Sequence, residues 1–258
     1  MNPYLFMQQG NHAFSNKDYG SALRYYNKAL EGIREDESPL ADLYGNIGNV
    51  YAATGNIEEA VGAYKKALAI LRRLEDYDRI GMTYANIGNL YTDNGDPRQG
   101  IDYYNQGVLL LERSRPGEAL AVLYGNLTRA WIQLSDAAKA LAFAEKGITL
   151  ACDLNRPQLI AEATHRLAKA HGASGDLQNA LHVSESAFAL FRRLKDESGC
   201  AGARYHQAAL QEQAGDLDAA IRLMKEVVAF DERYKLPKLE ENKRRLVRLE
   251  AKYLATRT

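Results

Sequence analysis

One short pattern returns at a fixed spacing in this chain, and that spacing decides what the chain can fold into. Residues 44–49 read YGNIGN, 84–89 read YANIGN, 124–129 read YGNLTR and 164–169 read THRLAK. Alignment on a small residue carries the register to both ends through Ala22, Ala60, Gly100, Ala140, Ala180 and Ala220. The first step is 38 residues and the others are 40. Self-similarity at such a period marks a repeat architecture, in which no unit buries its apolar face alone and stacking supplies the core.

Each unit reads as two helices. Twelve residues before the aligned small residue stands another: Gly10, Gly48, Gly88, Thr128, Ala168 and Ala208. Nine before it, the middle repeats carry Tyr51, Tyr91, Trp131 and His171; four after it lie Tyr26, Tyr64, Tyr104, Ala144, Ser184 and Met224. Small residues suit places where helix backbones approach closely, and the aromatic residues fill the holes beside them. A turn is expected five before the aligned residue, at Gly55, Gly95, Gly175 and Gly215, with Lys17 and Ser135 in the deviant repeats. The stretch AVGAYKKALAILRRL (60–74) has the apolar i, i+3, i+4, i+7 spacing of an amphipathic helix. Period-two runs bounded by turn residues, the mark of strands, are absent. Asn2–Pro3, Ser38–Pro39, Arg115–Pro116 and Arg156–Pro157 precede first helices, where proline suits the first turn. Asp78 and Ser198 are the expected caps of the other two first helices.

These features together resemble the tetratricopeptide repeat. GNHAFSNKDYGSALRYYNKAL (10–30) and GNVYAATGNIEEAVGAYKKAL (48–68) carry its motif in full. The 40-residue period is similar to that of long-period members: the Leu-Gly-Asn repeat proteins of spindle orientation, kinesin light chain and the bacterial Rap-type regulators. The resemblance implies an all-α fold, a right-handed α-solenoid or superhelix of antiparallel helix pairs, with first helices lining the concave face. Six repeats are expected over 1–236, at about 3–40, 41–80, 81–120, 121–160, 161–200 and 201–236. A capping helix is expected over 237–258, where Leu239, Leu246, Leu249 and Tyr253 form an apolar stripe and the other faces are charged.

Composition narrows the function. The chain carries 33 Lys+Arg and 33 Asp+Glu, and this neutral balance argues against bulk nucleic-acid binding. No apolar run is long enough for a membrane helix, and MNPYLFMQQGN has no signal-peptide pattern. Cys152 and Cys200 are the only cysteines, which fits reduced thiols in a cytoplasmic protein. The motifs GxxxxGK[ST], GxSxG and HExxH are missing, and the five histidines lack metal-ligand spacing. The expectation is therefore a non-enzymatic protein with no cofactor and no metal, monomeric or weakly self-associating.

The repeated pattern also marks a candidate site. Asn46 and Asn49 project from one side of their helix, as do Asn86 and Asn89, Asn126 and Arg129, and Arg166 and Lys169. Asn11 precedes this series and His206 follows it. Asparagine within a helix costs about 0.6 kcal/mol relative to alanine, so the six asparagines cost about 3–4 kcal/mol together. An asparagine amide has both a donor and an acceptor, and a row of them suits the main chain of an extended peptide. Arg129, Arg166 and Lys169 suit carboxylates. The expected partner is an acidic, extended or disordered segment of another protein. Two structural readings stand beside this one. The asparagines can bond between repeats, and the cations can pair with Glu162 or Glu212. A ligand-responsive sensor of Rap type and a self-associating scaffold are the alternative functions.

Overall fold

The computed structural model describes residues 2–33, 36–114 and 116–256. Arg115, named above as preceding a first helix, lies outside the described residues. Among those residues the chain forms thirteen α-helices. They are α1 (Pro3–Ser15), α2 (Tyr19–Gly32), α3 (Glu37–Ala53), α4 (Ile57–Arg73), α5 (Tyr77–Asp93), α6 (Pro97–Arg113), α7 (Glu118–Gln133), α8 (Ala137–Asp153), α9 (Pro157–Ala173), α10 (Leu177–Leu194), α11 (Glu197–Gln213), α12 (Leu217–Tyr234) and α13 (Leu239–Ala255). The fold class is an all-α solenoid of paired helices. No helix among the described residues is long and apolar enough to cross a membrane.

The tight turns follow one rule. The turn residue between the two helices of a pair takes the left-handed conformation at Gly55, Gly95, Gly175 and Gly215, and also at Lys17 (φ 60°) and Ser135 (φ 58°). Aspartate follows in five of these six turns and caps the second helix: Asp18 accepts from Ser21 N, Asp96 from Gln99 N, Asp136 from Lys139 N, Asp176 from Asn179 N and Asp216 from Ala219 N. The connections from one pair to the next use the same device, with Glu75, Asn155, Lys195 and Lys235 left-handed. Two expected caps move as a result. α5 is capped by Asp76, which accepts from Arg79 N at 3.0 Å, and α11 by Asp196, which accepts from Gly199 N at 2.8 Å. The left-handed residue immediately before each aspartate turns the chain two residues earlier than Asp78 and Ser198 suggested, so those two fall inside the first helical turn.

The chain divides into two compact units, Met1–Asn126 and Leu127–Thr258. In the first, α1–α6 and the start of α7 enclose a core of Tyr26, Leu43, Val50, Tyr64, Ile80, Ile87, Tyr104 and Leu111. In the second, α8–α13 and the last turns of α7 pack around alanines and larger fillers such as Phe188, Phe191, Met224 and Leu249. The aligned alanines at 22, 60, 140, 180 and 220 are all 0% exposed, which is why a small residue is required there. In α13 the expected apolar stripe buries Leu249 and half-buries Leu239, Leu246 and Tyr253.

In the last helix pair Arg204 and Gln207 stand where tyrosine and isoleucine stand earlier. The pair is more polar, but it is tightly bonded. Arg204 pairs with Glu185 at 2.7 Å and Glu226 at 3.0 Å, donates to Gln207 Oε1 at 2.6 Å and lies 3.7 Å over the Phe188 ring. Gln207 closes the network by donating to Glu185 at 3.0 Å.

Candidate functional site: a cation-lined cavity in the second unit

The asparagines of the first unit fall into two sets. Tyr26, Tyr64 and Tyr104 come from second helices, and each donates its hydroxyl to an asparagine fifteen residues earlier: Asn11 at 2.8 Å, Asn49 at 2.7 Å and Asn89 at 2.7 Å. The glycine just before each asparagine makes room for the ring. A Cβ on Gly48 would stand 2.6 Å from Tyr64 Cε1, and Gly10 and Gly88 are equally close to their tyrosines. Burial pushes the Tyr26 and Tyr64 hydroxyls up to about 12, so they remain donors at neutral pH. Glycine, asparagine and tyrosine thus form a packed triad within one helix pair. The other set differs. Asn46 donates to Asn11 Oδ1 at 3.1 Å, a bond between adjacent repeats. Asn86 is half-buried with no hydrogen bond among the described residues, and Asn126 is buried with Nδ2 unpartnered.

The second unit replaces all three members of the triad together. Tyrosine becomes Ala144, Ser184 and Met224; glycine becomes Thr128, Ala168 and Ala208; asparagine becomes Arg129, Lys169 and Ala209. With no tyrosine hydroxyl to receive, the third position loses that constraint on its residue type, and two of its three occupants are cations. The neighbouring position of the ladder, Asn46, Asn86 and Asn126 in the first unit, becomes Arg166 and His206.

These residues converge. Arg129 from α7, Arg166 and Lys169 from α9 and His206 from α11 line one cavity of about 600 Å³, with Ile132, Phe191 and Leu210 among its apolar walls. Arg166 reaches Glu162 at 3.5 Å within its own helix. Glu212, the other carboxylate weighed as a partner, instead holds Arg245 and Lys252 of α13 at 3.3 and 3.0 Å. Lys169 has no carboxylate within ion-pair distance among the described residues. Its side chain is exposed, yet its ammonium stands inside a concave wall where protein displaces much of the surrounding water. That enclosure lowers its pKa, and Arg166, Lys238 and Arg129 lower it further.

Two histidines add polarity. His165 and His206 meet edge to face, with ring centroids 5.7 Å apart, and each has Nδ1 buried without a partner. Burial, reinforced by Lys169, His206 and Arg166, drives His165 down to about 2; burial and Lys169 drive His206 down to about 4. Both rings are neutral at physiological pH, and each can donate or accept one hydrogen bond. A smaller cavity of about 350 Å³ adjoins the first. His165, Lys169, His206 and Ala209 line both.

Of the residues singled out from the sequence, Arg129, Arg166, Lys169 and His206 are brought together here. Asn11, Asn46, Asn49, Asn86, Asn89 and Asn126 lie in the first unit. His165 was not anticipated. Its signal was the 40-residue register, where Gly45, Ala85 and Gly125 precede it and a bulky polar ring breaks a run of small residues. Trp131 packs with Ile132, Ala140 and Ala144 and carries Lys139 over its face at 4.1 Å.

The chain belongs to the MalT-like TPR region family, whose model matches residues 9–254. Solved structures of similar fold include a signal-transduction ATPase with a tetratricopeptide repeat sensor from Pyrococcus horikoshii, at 15% identity and TM-score 0.74, covering 96% of this chain and 38% of that one. The chain therefore spans well under half the length of that protein. A Rap protein complexed with competence and sporulation factor matches at 17% identity and TM-score 0.65, covering 97% and 75% of the two chains. The Rap conjugation gene regulator of plasmid pLS20, bound to a Phr peptide, matches at 18% identity and TM-score 0.62, covering 98% and 75%. At these identities the likeness is one of fold. No curated protein matches the sequence.

Proposed function

We propose that this protein is a non-enzymatic binding module whose second unit captures an acidic peptide segment in the cavity lined by Arg129, Arg166 and Lys169. One observation carries the reading. The position that tyrosine locks in the first unit is unlocked in the second, and there it places cations around a cavity with apolar walls. The apolar walls suit side chains of the segment, the cations its carboxylates, and the neutral histidines its amides. Two proteins of similar fold were solved with a competence and sporulation factor or a Phr peptide bound, which supports a peptide as the ligand class.

The test is titration against acidic, neutral and basic peptides at low and high salt. Acidic peptides are expected to bind selectively and to weaken with salt. A charge-assisted hydrogen bond contributes about 1.5–3 kcal/mol, so Arg129→Ala or Lys169→Ala should each weaken binding by roughly 10- to 150-fold. Equal affinity for all three peptide classes, or unchanged affinity in both variants, would refute the reading. A second reading, a regulatory sensor, is favoured by likeness to a repeat sensor inside a signal-transduction ATPase. It adds one expectation, a change in small-angle scattering on peptide binding, and an unchanged profile would leave the simpler module.

A further inference from the structure

The smaller cavity contains two polar groups that the acidic-segment reading does not use. Asp231 on α12 is 1% exposed, and Asn242 on α13 is 4% exposed. Asn242 Nδ2 donates to Asp231 Oδ2 at 2.7 Å. Among the described residues the Asp231 carboxyl has no other hydrogen bond and no cation within ion-pair distance, and Asn242 Oδ1 has no partner at all. Both residues line the cavity. Burying a carboxyl without a cation and an amide oxygen without a donor is costly. Packing does not require either. In the 40-residue register Asp231 follows Leu71, Leu111, Ala151 and Phe191, all buried and apolar. Asn242 interrupts the apolar stripe of α13 between Leu239 and Leu246. Two polar side chains thus replace core residues at one spot and leave acceptors without donors.

The rest of the cavity has the opposite sign. Lys169 and Lys238 line it, and neither has a carboxylate within ion-pair distance among the described residues. The cavity therefore presents acceptors from Asp231 and Asn242 together with ammonium groups, and it shares His165, Lys169 and His206 with the larger cavity. Its volume of about 350 Å³ has room for one amino-acid residue.

We propose that the smaller cavity is a receptor for an α-ammonium group that has a carboxylate close by, held by Asp231 and Asn242, with Lys169 and Lys238 taking the carboxylate. Resting on the acidic-segment reading, this assigns the cavity to the free amino terminus of a segment that begins with an acidic residue. The chain of that segment then continues past His165 and His206 toward Arg166 and Arg129. The same chemistry is offered by a free acidic amino acid. The inference thus gives the ligand a direction and a terminus.

The test compares three probes by calorimetry on the full chain: a glutamate-initiated acidic hexapeptide with a free amino terminus, the same peptide N-acetylated, and free glutamate. The free peptide is expected to bind at least tenfold tighter than the acetylated one. That difference is expected to vanish in Asp231→Asn, which keeps the shape of the side chain. The acetylation comparison uses the unaltered protein, so it stands even if that variant folds poorly. If acetylated and free peptides bind equally and glutamate does not bind, the inference is overturned while the acidic-segment reading survives. If glutamate binds in an Asp231-dependent way but neither peptide does, the cavity is a free amino-acid site and the acidic-segment reading fails. If none of the three binds, both fail.

Discussion

Replacing Asn49 with alanine tests whether the repeated asparagine is a packing element. Tyr64 is 2% exposed, and its hydroxyl has one partner among the described residues, Asn49 Oδ1 at 2.7 Å. Removing the acceptor strands a buried donor, which costs about 1–3 kcal/mol. Alanine recovers about 0.6 kcal/mol of helix propensity. The net loss is about 0.5–2.5 kcal/mol, roughly 1–5 °C in melting temperature for a chain of this size. Tyr64→Phe should cost about 0.5–1.5 kcal/mol, since half-buried Asn49 regains water. The double variant should cost less than the two single losses added, because the stranded hydroxyl is gone, and the coupling should exceed about 0.5 kcal/mol. Asn89→Ala should cost less than Asn49→Ala, because Tyr104 also has Thr92 Oγ1 at 3.2 Å as an alternative acceptor. Denaturant unfolding of the four proteins measures the cycle. Additive losses, or an Asn49→Ala protein as stable as the parent, would refute the triad.

Acid should destabilise the second unit through its histidines. His206 and His165 are depressed in the fold to about 4 and about 2, so the unfolded chain binds protons first as pH falls through 6.5. Stability should fall by about 1 kcal/mol per pH unit per histidine below 6.5, down to pH 4 for His206 and further for His165; in His206→Gln the urea midpoint should shift less between pH 7 and pH 5. Ser135→Gly should stabilise the fold by about 0.5–1 kcal/mol, because serine holds φ at 58° where glycine is unstrained; a lower melting temperature would contradict this. Arg204→Met should cost about 1–3 kcal/mol by leaving the buried Gln207 Oε1 without its donor, and Arg204→Lys should restore only part of it, as thermal unfolding will show.

The helix pairs were readable because their determinants are local. A small residue where helices touch, a left-handed turn residue and an aspartate after it recur in register. Even Lys17 and Ser135, which lack glycine's freedom, were placed at turns by that register alone. The cations of the candidate site were readable for the same reason, since they replace asparagine on a known helix face. The use of Asn11, Asn49 and Asn89 was less evident. Their face was clear, but the hydroxyl that claims each carbonyl comes from another helix fifteen residues later. His165, Asp231 and Asn242 were missed because each is a single departure inside one repeat. Such a departure has meaning only once the position is known to be small or apolar in the other repeats.

The triad has a consequence for engineering. A single substitution of Asn49 or Asn89 by a cation removes the asparagine acceptor of the tyrosine hydroxyl, and the ring still requires the glycine. Transplanting the charged surface of the second unit into the first needs a linked exchange: Gly88→Ala, Asn89→Lys and Tyr104→Ser, after the pattern of Ala168, Lys169 and Ser184. Stepwise change would pass through less stable intermediates, so a repeat of this design resists gradual drift between the tyrosine-bonded and the charged arrangement. The same linkage offers a modular part: a three-residue cassette that exchanges a tyrosine-bonded asparagine for a cation while leaving the turns and caps of the repeat untouched.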